Sequence, residues 1–426
     1  MKKKLLLALV LLMVATVVFA GGGGQRETVL TVWDFKSGEA AAGSAFREMD
    51  RLFEQQNPGV RINRVAQPGD QAPYYAALAA AFRARTPVDI VMIHPQASAG
   101  WQFADFFEVL NLSAAERSSF ASNAISASSP SNNPNGDTRM LPLTAQGMGI
   151  YTNKANLQRA GLDPNGDYSS WNAFLNACEK LRAAGIDPII FGSPHGICFM
   201  YRVIVATFYG PERIEGFRNG QGVSFNDPEF RTASLMIREL FDKNFINRDA
   251  ASISYFMDGI EAFRAGRGGF FVGLNSDIAN WSDFQRALGT QNVGYFSAPV
   301  HPTARFPKAQ VNQGAGIGFS VVNYSKNKAL ATEFVKFMTM GEGARIFMER
   351  SGAIVPNSNV PVDAGNALLS QVLSRMSSDP VNDWVGIIPV SEDDLHRVQS
   401  LFFISKEITI DQYVSQMQAL FAAATR

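Results

Sequence analysis

Between Val29 and Ile93 the sequence switches repeatedly between two hydrophobic periods, and this alternation constrains the fold more than any other feature of the chain. Val29 to Asp34 is a short β-rich run closed by the turn residues Lys36, Ser37 and Gly38. From Ala45 to Gln55, Phe46, Met49, Leu52 and Phe53 recur at helical spacing, and Asn57-Pro58-Gly59 stops the pattern. Val60 to Val65 alternates as a strand, Tyr74 to Arg83 reads as a second helix, and Val88 to Ile93 as a buried strand. Parallel strands need long crossovers, and helices supply them. A β-α-β-α-β order within about 65 residues therefore predicts a mostly parallel sheet covered by helices.

The rest of the chain continues in the same mixed style. Ser126 to Asp137, rich in Ser, Asn and Pro, reads as an exposed loop. Strands are predicted at Gly149 to Lys154, Ile186 to Phe191, Gly268 to Leu274, Val293 to Pro299 and Gly316 to Val322. Helices are predicted from Asn156 to Ala160, Trp171 to Ala184, Phe230 to Lys243, Ile260 to Ala265, Lys328 to Thr339 and Gly341 to Glu349. The tail from Asp393 to Ala424 reads as helical with a break near Ile408. A length of 426 residues implies two or three domains, and no repeat of 20 to 50 residues suggests a solenoid.

Lys2, Lys3 and Lys4 precede an apolar run from Leu5 to Val18, and Val18-Phe19-Ala20 suits a signal peptidase. Residues 1–20 are therefore expected to be a signal peptide, too short to span a bilayer, which takes roughly 20 apolar residues. No cysteine precedes Cys178, so a lipid anchor is not expected, and the mature chain is expected in the periplasm or another extracytoplasmic space. Without those three lysines, 35 basic residues face 38 acidic ones. No basic field exists to hold nucleic acid.

Enzymatic signatures are sparse. The four histidines, His94, His195, His301 and His396, form neither His-Glu-x-x-His nor a Cys/His cluster, and two cysteines make no zinc site alone. Gly-x-Ser-x-Gly and the P-loop are missing, and Gly314-x-Gly316-x-Gly318 lacks the third glycine spacing of a dinucleotide fingerprint. No cofactor, no metal and no catalysis are expected, although a glycosidase's carboxylate pair cannot be picked out or dismissed from sequence. Whether Cys178 and Cys198 pair is left open.

An ordered set of short motifs spans the mature chain. It begins with Leu30-Thr31-Val32-Trp33, Phe53-Glu54-Gln55-Gln56-Asn57-Pro58-Gly59-Val60 and Val88-Asp89-Ile90-Val91. Leu141-Pro142, Tyr151-Thr152-Asn153-Lys154, Ala160-Gly161-Leu162 and Trp171 follow. Ala262-Phe263-Arg264-Ala265-Gly266-Arg267, Ser325-Lys326-Asn327-Lys328-Ala329 and Gly352-Ala353-Ile354-Val355-Pro356 complete it. Each is weak alone, but together they resemble the family 1 extracellular solute-binding proteins of ABC importers, the sugar-type group that includes maltodextrin-binding protein. Departures are Ser170 before Trp171, the missing lipobox cysteine, and Asn275-Ser276 where many relatives carry a tryptophan.

The resemblance implies an α/β fold of two lobes with a ligand cleft between them, mixed sheets and helices on both faces. Lobe one would hold 27–143 and 299–350, and lobe two 146–296 and 357–426. Hinge crossovers would lie near 144–146, 297–299 and 351–356. It implies capture of a mono- or oligosaccharide by lobe closure and delivery to the transmembrane subunits of an ABC permease, by a monomer. A secreted carbohydrate-active enzyme, or the same fold holding a polyamine or amino acid, is the alternative.

Sugar hydroxyls want planar hydrogen-bonding groups and sugar C–H faces want aromatic rings. Ligands of open α/β sheets gather at the carboxyl ends of strands. Asp34, Lys36 and Ser37 follow the first strand, with Asp34 either a hydroxyl acceptor or a helix cap. His94 and Gln96 follow the Val88 to Ile93 strand. Asn275 follows the Gly268 to Leu274 strand, and Gln313 precedes a glycine-rich return. Trp33 and Trp281 read more simply as packing. The resemblance adds Gln96 and Gln146 at positions where maltodextrin-binding relatives carry sugar-contacting carboxylates. It also adds His195 in a contacting loop and Trp384 as a stacking platform.

Overall fold

The computed structural model describes residues 27–425 apart from 70, 96–99, 132, 134, 193–194, 215, 251, 253–255, 276–278, 308–309, 362–364, 378–379 and 382–387. The expected signal peptide, Gln96 and Trp384 lie outside the described residues.

The alternating pattern at the start builds the first sheet. Strands β1 (Thr28–Asp34), β2 (Val60–Ala66) and β3 (Ile90–Ile93) are parallel, with Val32 opposite both Arg64 and Ile90. The helices Ala40–Gln56 and Gln71–Ala84 are their crossovers. β4 (Leu141–Pro142) and β10 (Gly318–Val321) complete the order β2-β1-β3-β10-β4, with β10 antiparallel to both neighbours. Phe46, Met49 and Phe53 form the buried face of the helix Ala40–Gln56. Phe46 stacks on Phe347 at 5.1 Å and meets the β10 residue Phe319 edge-on at 6.0 Å. One ring thus joins the start of the chain to segments nearly three hundred residues later.

The second sheet centres on β5 (Ala145–Asn153), which is antiparallel to β7 (Phe270–Leu274), β8 (Val293–Phe296) and β9 (Gln310–Ala315). β6 (Ile189–Ile190) runs parallel to β7, and β11 (Pro380–Val381) parallel to β9. Because β9 pairs with β5, the chain rejoins the first sheet only between Ala315 and Gly318, later than the crossover expected near 297–299. That crossover lies against the one from Pro142 to Ala145. Leu143 N donates to Ile317 O at 2.9 Å, and Gly316 N to Thr144 O at 2.8 Å. A third crossing follows the helix Glu342–Ser351, where Ala145 N donates to Ile354 O at 2.7 Å.

Each sheet has its own large apolar core. Cys178 and Cys198 are free and buried in the second, and burial pushes the Cys178 thiol well above its ordinary range. Two expectations need correction. His195, expected in a contacting loop, instead opens the helix His195–Phe208. All but its first residue are buried, so its sequence carries no polar stripe to mark a helical period. The Ser/Asn/Pro segment is not simply an exposed loop: Ser126 and Ala127 end a helix, and Ser128 and Ser129 are buried.

Under the first sheet sits a buried ion network. Arg64 grips Asp50 through Nε at 2.8 Å and Nη2 at 2.6 Å, and reaches Asp34 through Nη1 at 3.1 Å. Its guanidinium lies 4.5 Å from the centre of the Phe46 ring. Burial lifts the Asp50 carboxyl above its ordinary value even with Arg64 alongside. Arg64→Met would strand two buried carboxylates, and urea titration is expected to show a loss of about 3–5 kcal/mol.

Candidate functional site

The crossovers bring the carboxyl ends of β1 and β3 together with the first residues of β5. Asp34, at the end of β1, is fully buried. Its Oδ1 accepts from Lys36 N at 2.9 Å and Ser37 N at 2.6 Å, and its Oδ2 from Ser37 Oγ at 2.5 Å and Arg64. The carboxylate therefore shapes the turn 34–37 rather than capping the helix, whose N-cap is Glu39 without a side-chain bond. Lys36 Nζ pairs with Glu39 at 2.8 Å. Trp33 packs, half-buried, against the first core.

His94 follows β3 and is buried. Its Nδ1 lies 2.7 Å from Gly316 O, and a carbonyl oxygen only accepts, so Nδ1 carries the proton. Its ring stacks on Phe35 at 5.1 Å, and its backbone N–H donates to the Tyr75 hydroxyl at 3.1 Å. Gln146 enters the same place from β5. It is only 5 % exposed, and its Oε1 has no hydrogen-bond partner among the described residues. That oxygen lies 3.5 Å from where a Cβ on Gly316 would stand. His94 and Gln146 thus converge on Gly316, where the chain passes between the sheets. A buried acceptor left unpaired costs about 1–3 kcal/mol, so this oxygen is suited to receive a donor from a bound molecule.

On the second sheet, Asn275 follows β7 directly and is fully buried. Its Nδ2 donates to the Tyr295 hydroxyl at 2.6 Å, and its Oδ1 accepts from the Tyr151 hydroxyl at 3.1 Å. Gly149 makes this possible, because a Cβ there would run into the Tyr295 hydroxyl. Burial drives the Tyr151 phenol well above its ordinary range, keeping it a neutral donor. Asn275 is thus a brace, with its N–H on Gly147 O at 3.0 Å beside Gln146. Composition gave no sign of this pair of tyrosines. Only the β5–β8 register, which sets Tyr151 opposite Tyr295, creates it.

His195 opens its helix half-buried, with its ring 5.2 Å from His396 and 6.4 Å from Phe199. Asn247 positions the chain just before it by accepting from Phe191 N at 2.9 Å. Asn247 also donates to Asp249, which Arg267 holds by two bonds of 2.8 and 2.9 Å. Gln313 lies in β9, where only its backbone is described. The structure therefore brings Asp34, Lys36, Ser37, His94 and Gln146 into one wall, with Asn275 behind it and His195 on a separate helix.

Residues 36–343 match the family model of the bacterial extracellular solute-binding proteins. The chain belongs to this family. Solved structures agree on the fold. A protein from work on xylan utilization by the thermophile Caldanaerobius polysaccharolyticus superposes with a TM-score of 0.77 at 18 % identity, covering 92 % of this chain and 99 % of its own. RafE in complex with raffinose gives 0.75 at 19 %, covering 94 % and 100 %. Maltose-bound MalE3 of T. maritima gives 0.72 at 15 %, covering 93 % and 99 %. No curated protein matches the sequence significantly. This solute-binding protein thus has the two-lobe fold of periplasmic binding proteins, with the Gly316 crossing at the junction of the two sheets. Among the described residues, no helix is long and apolar enough to cross a membrane. No group of three or more His, Cys, Asp or Glu among them could hold a metal ion.

If Asn275 is a brace, Asn275→Leu removes one hydrogen-bond partner from each of two buried tyrosine hydroxyls. Thermal unfolding is expected to show a loss of about 1–3 kcal/mol. Unchanged stability with lost ligand binding would instead make Asn275 a ligand contact.

Proposed function

We propose that this protein is the extracytoplasmic binding component of an ABC importer, which captures a neutral sugar between its lobes and passes it to the permease. The observation that carries this reading is the buried Oε1 of Gln146, without a partner among the described residues, beside the His94 ring that Gly316 O holds through Nδ1. Such a wall offers directional hydrogen bonds without net charge, which suits hydroxyl groups. Asp34 is the one carboxylate among the candidate residues, and Arg64 and the turn N–H groups already occupy it. A polyamine would need a carboxylate that is not so committed. Several structurally similar proteins carry names or titles that mention raffinose, maltose, chitin oligosaccharide or acarbose.

In this reading the lobes follow the two sheets. Lobe one holds β1 to β4 with β10, and lobe two β5 to β9 with β11, joined by the three crossovers. Residues 1–20 direct export and are removed, and the protein works as a monomer without catalysis. Closure of the lobes around the sugar expels water and tightens the hydrogen bonds at Gln146. In this reading Lys36, Ser37, Gln96, Gln313, His195 and Trp384 complete the contacts.

The test is a thermal-shift screen against raffinose, maltose, xylo-oligosaccharides and chitin oligosaccharides, with spermidine and glutamate as controls. A sugar at 100 times its Kd stabilises by about 2.7 kcal/mol, a rise of a few degrees. Calorimetry on Gln146→Leu is then expected to show at least a tenfold weaker Kd for that sugar, with Tm unchanged or higher. A response to spermidine alone would remove the sugar from this assignment and keep the fold.

A further inference from the structure

The third crossover is held in an unusual way. Gly352 caps the helix Glu342–Ser351, its N–H donating to Met348 O at 2.8 Å, with φ of 75° in the left-handed region. Its carbonyl oxygen accepts from the indole N–H of Trp281 at 2.9 Å. A Cβ on Gly352 would stand 3.2 Å from Ala279 Cβ and 3.2 Å from Ser282 Cβ, so the turn rests directly on the start of the helix Asn280–Leu288. These two helices belong to opposite sheets. The first carries Phe347 under Phe46, and the second carries Phe284 against Tyr151. The crossover is stitched alternately into both cores: Ala353 is buried in the first, and Ile354 packs with Trp281 in a cluster beneath the second.

Trp281 also reaches back toward the candidate site. Its backbone N–H faces the Tyr151 phenol oxygen. That phenol bonds Asn275 Oδ1 and, at 3.2 Å, Leu274 O. Asn280 Nδ2 donates to the same Leu274 carbonyl at 3.0 Å. The exit of β7 is therefore tied at both ends, and the tie continues through one indole to the backbone of the crossover.

We propose that Trp281 is a hinge latch, a positioning residue that couples the exit of β7 to the crossover at Gly352 and sets the balance between the two lobes' open and closed arrangements. It tunes solute affinity without touching the solute. The inference rests on the lobe-closure reading above. One hydrogen bond made in only one arrangement shifts that balance about three- to tenfold, and linkage carries the same factor into the Kd.

The experiment places spin labels at Arg47→Cys and Asn176→Cys, exposed positions on helices of opposite lobes. Cys178 and Cys198 are buried and stay unlabelled. Interlobe distances are measured by electron double resonance in the sugar-free protein, with and without Trp281→Phe, which keeps an aromatic ring, smaller than the indole, and removes the N–H. The expected result is a change of about threefold or more in the ratio of lobe arrangements. Gly352→Ala, which wedges the same contact apart and leaves the indole intact, is expected to shift the ratio in the same sense. Calorimetry with raffinose, maltose, xylo-oligosaccharides and chitin oligosaccharides should show each measurable Kd moving by that factor, with their ratios preserved. An unchanged distance distribution in Trp281→Phe overturns the latch, and so does altered selectivity among sugars. If none of these sugars binds even the unmodified protein, the sugar reading fails, while the distance measurement still decides the latch.

Discussion

A single buried guanidinium organises the first half of the molecule. Arg64 projects its side chain from β2 beneath the sheet, where it is satisfied by Asp50 and Asp34 and covered by the Phe46 ring. Its partners then impose order further out. Asp34, neutralised from below, has its remaining acceptor positions free to hold the turn 34–37, and that turn shapes one wall of the candidate site. Phe46, held under the guanidinium, collects Phe319 and Phe347 from the returning chain. Such a pair contributes little net stability compared with an apolar replacement, because both charges must be desolvated. What it supplies is a demand for geometry: every donor must meet its acceptor or the cost is several kcal/mol.

The second sheet solves a parallel problem with neutral groups. Asn275, Tyr151 and Tyr295 satisfy one another in a buried core, and β5 presents Gln146 at the crossing, where its register against β9 shifts between Gln146 and Gly147. Between the two networks lies Gly316, approached by the His94 imidazole from the first sheet and the Gln146 amide from the second. A solute held there would contact both lobes next to the strands that connect them. Small rotations of one lobe would then change the hydrogen bonds to the solute directly.

Much of the fold could be read from periodicity. Phe46, Met49 and Phe53 mark a helical face, and Val60 to Val65 a half-exposed strand, because each borders both core and water. The helix His195–Phe208 could not be read in that way, since a segment buried all round has no polar stripe. β9 was illegible for the opposite reason. Gln-Val-Asn-Gln-Gly-Ala is too polar and too interrupted by glycine to look like a strand, and pairing with β5 and β11 alone gives it that form. Among the candidate residues, position after a strand drew attention to Asp34, His94 and Asn275. It could not tell which polar groups their neighbours would consume. Asp34 and Asn275 prove to be committed internally, and the free acceptor is Gln146.

By itself, then, the sequence determined the alternation of strands and helices, the balanced formal charge, and the ordered motifs of the family. Those properties depend on neighbours along the chain, and local spacing records them. Only the tertiary structure decided where the chain returns to the first sheet, which buried polar atoms are paired, and how Trp281 meets Gly352. Each of these joins residues tens to hundreds of positions apart. Whether a polar atom is satisfied depends on partners that only the folded chain brings within three ångströms.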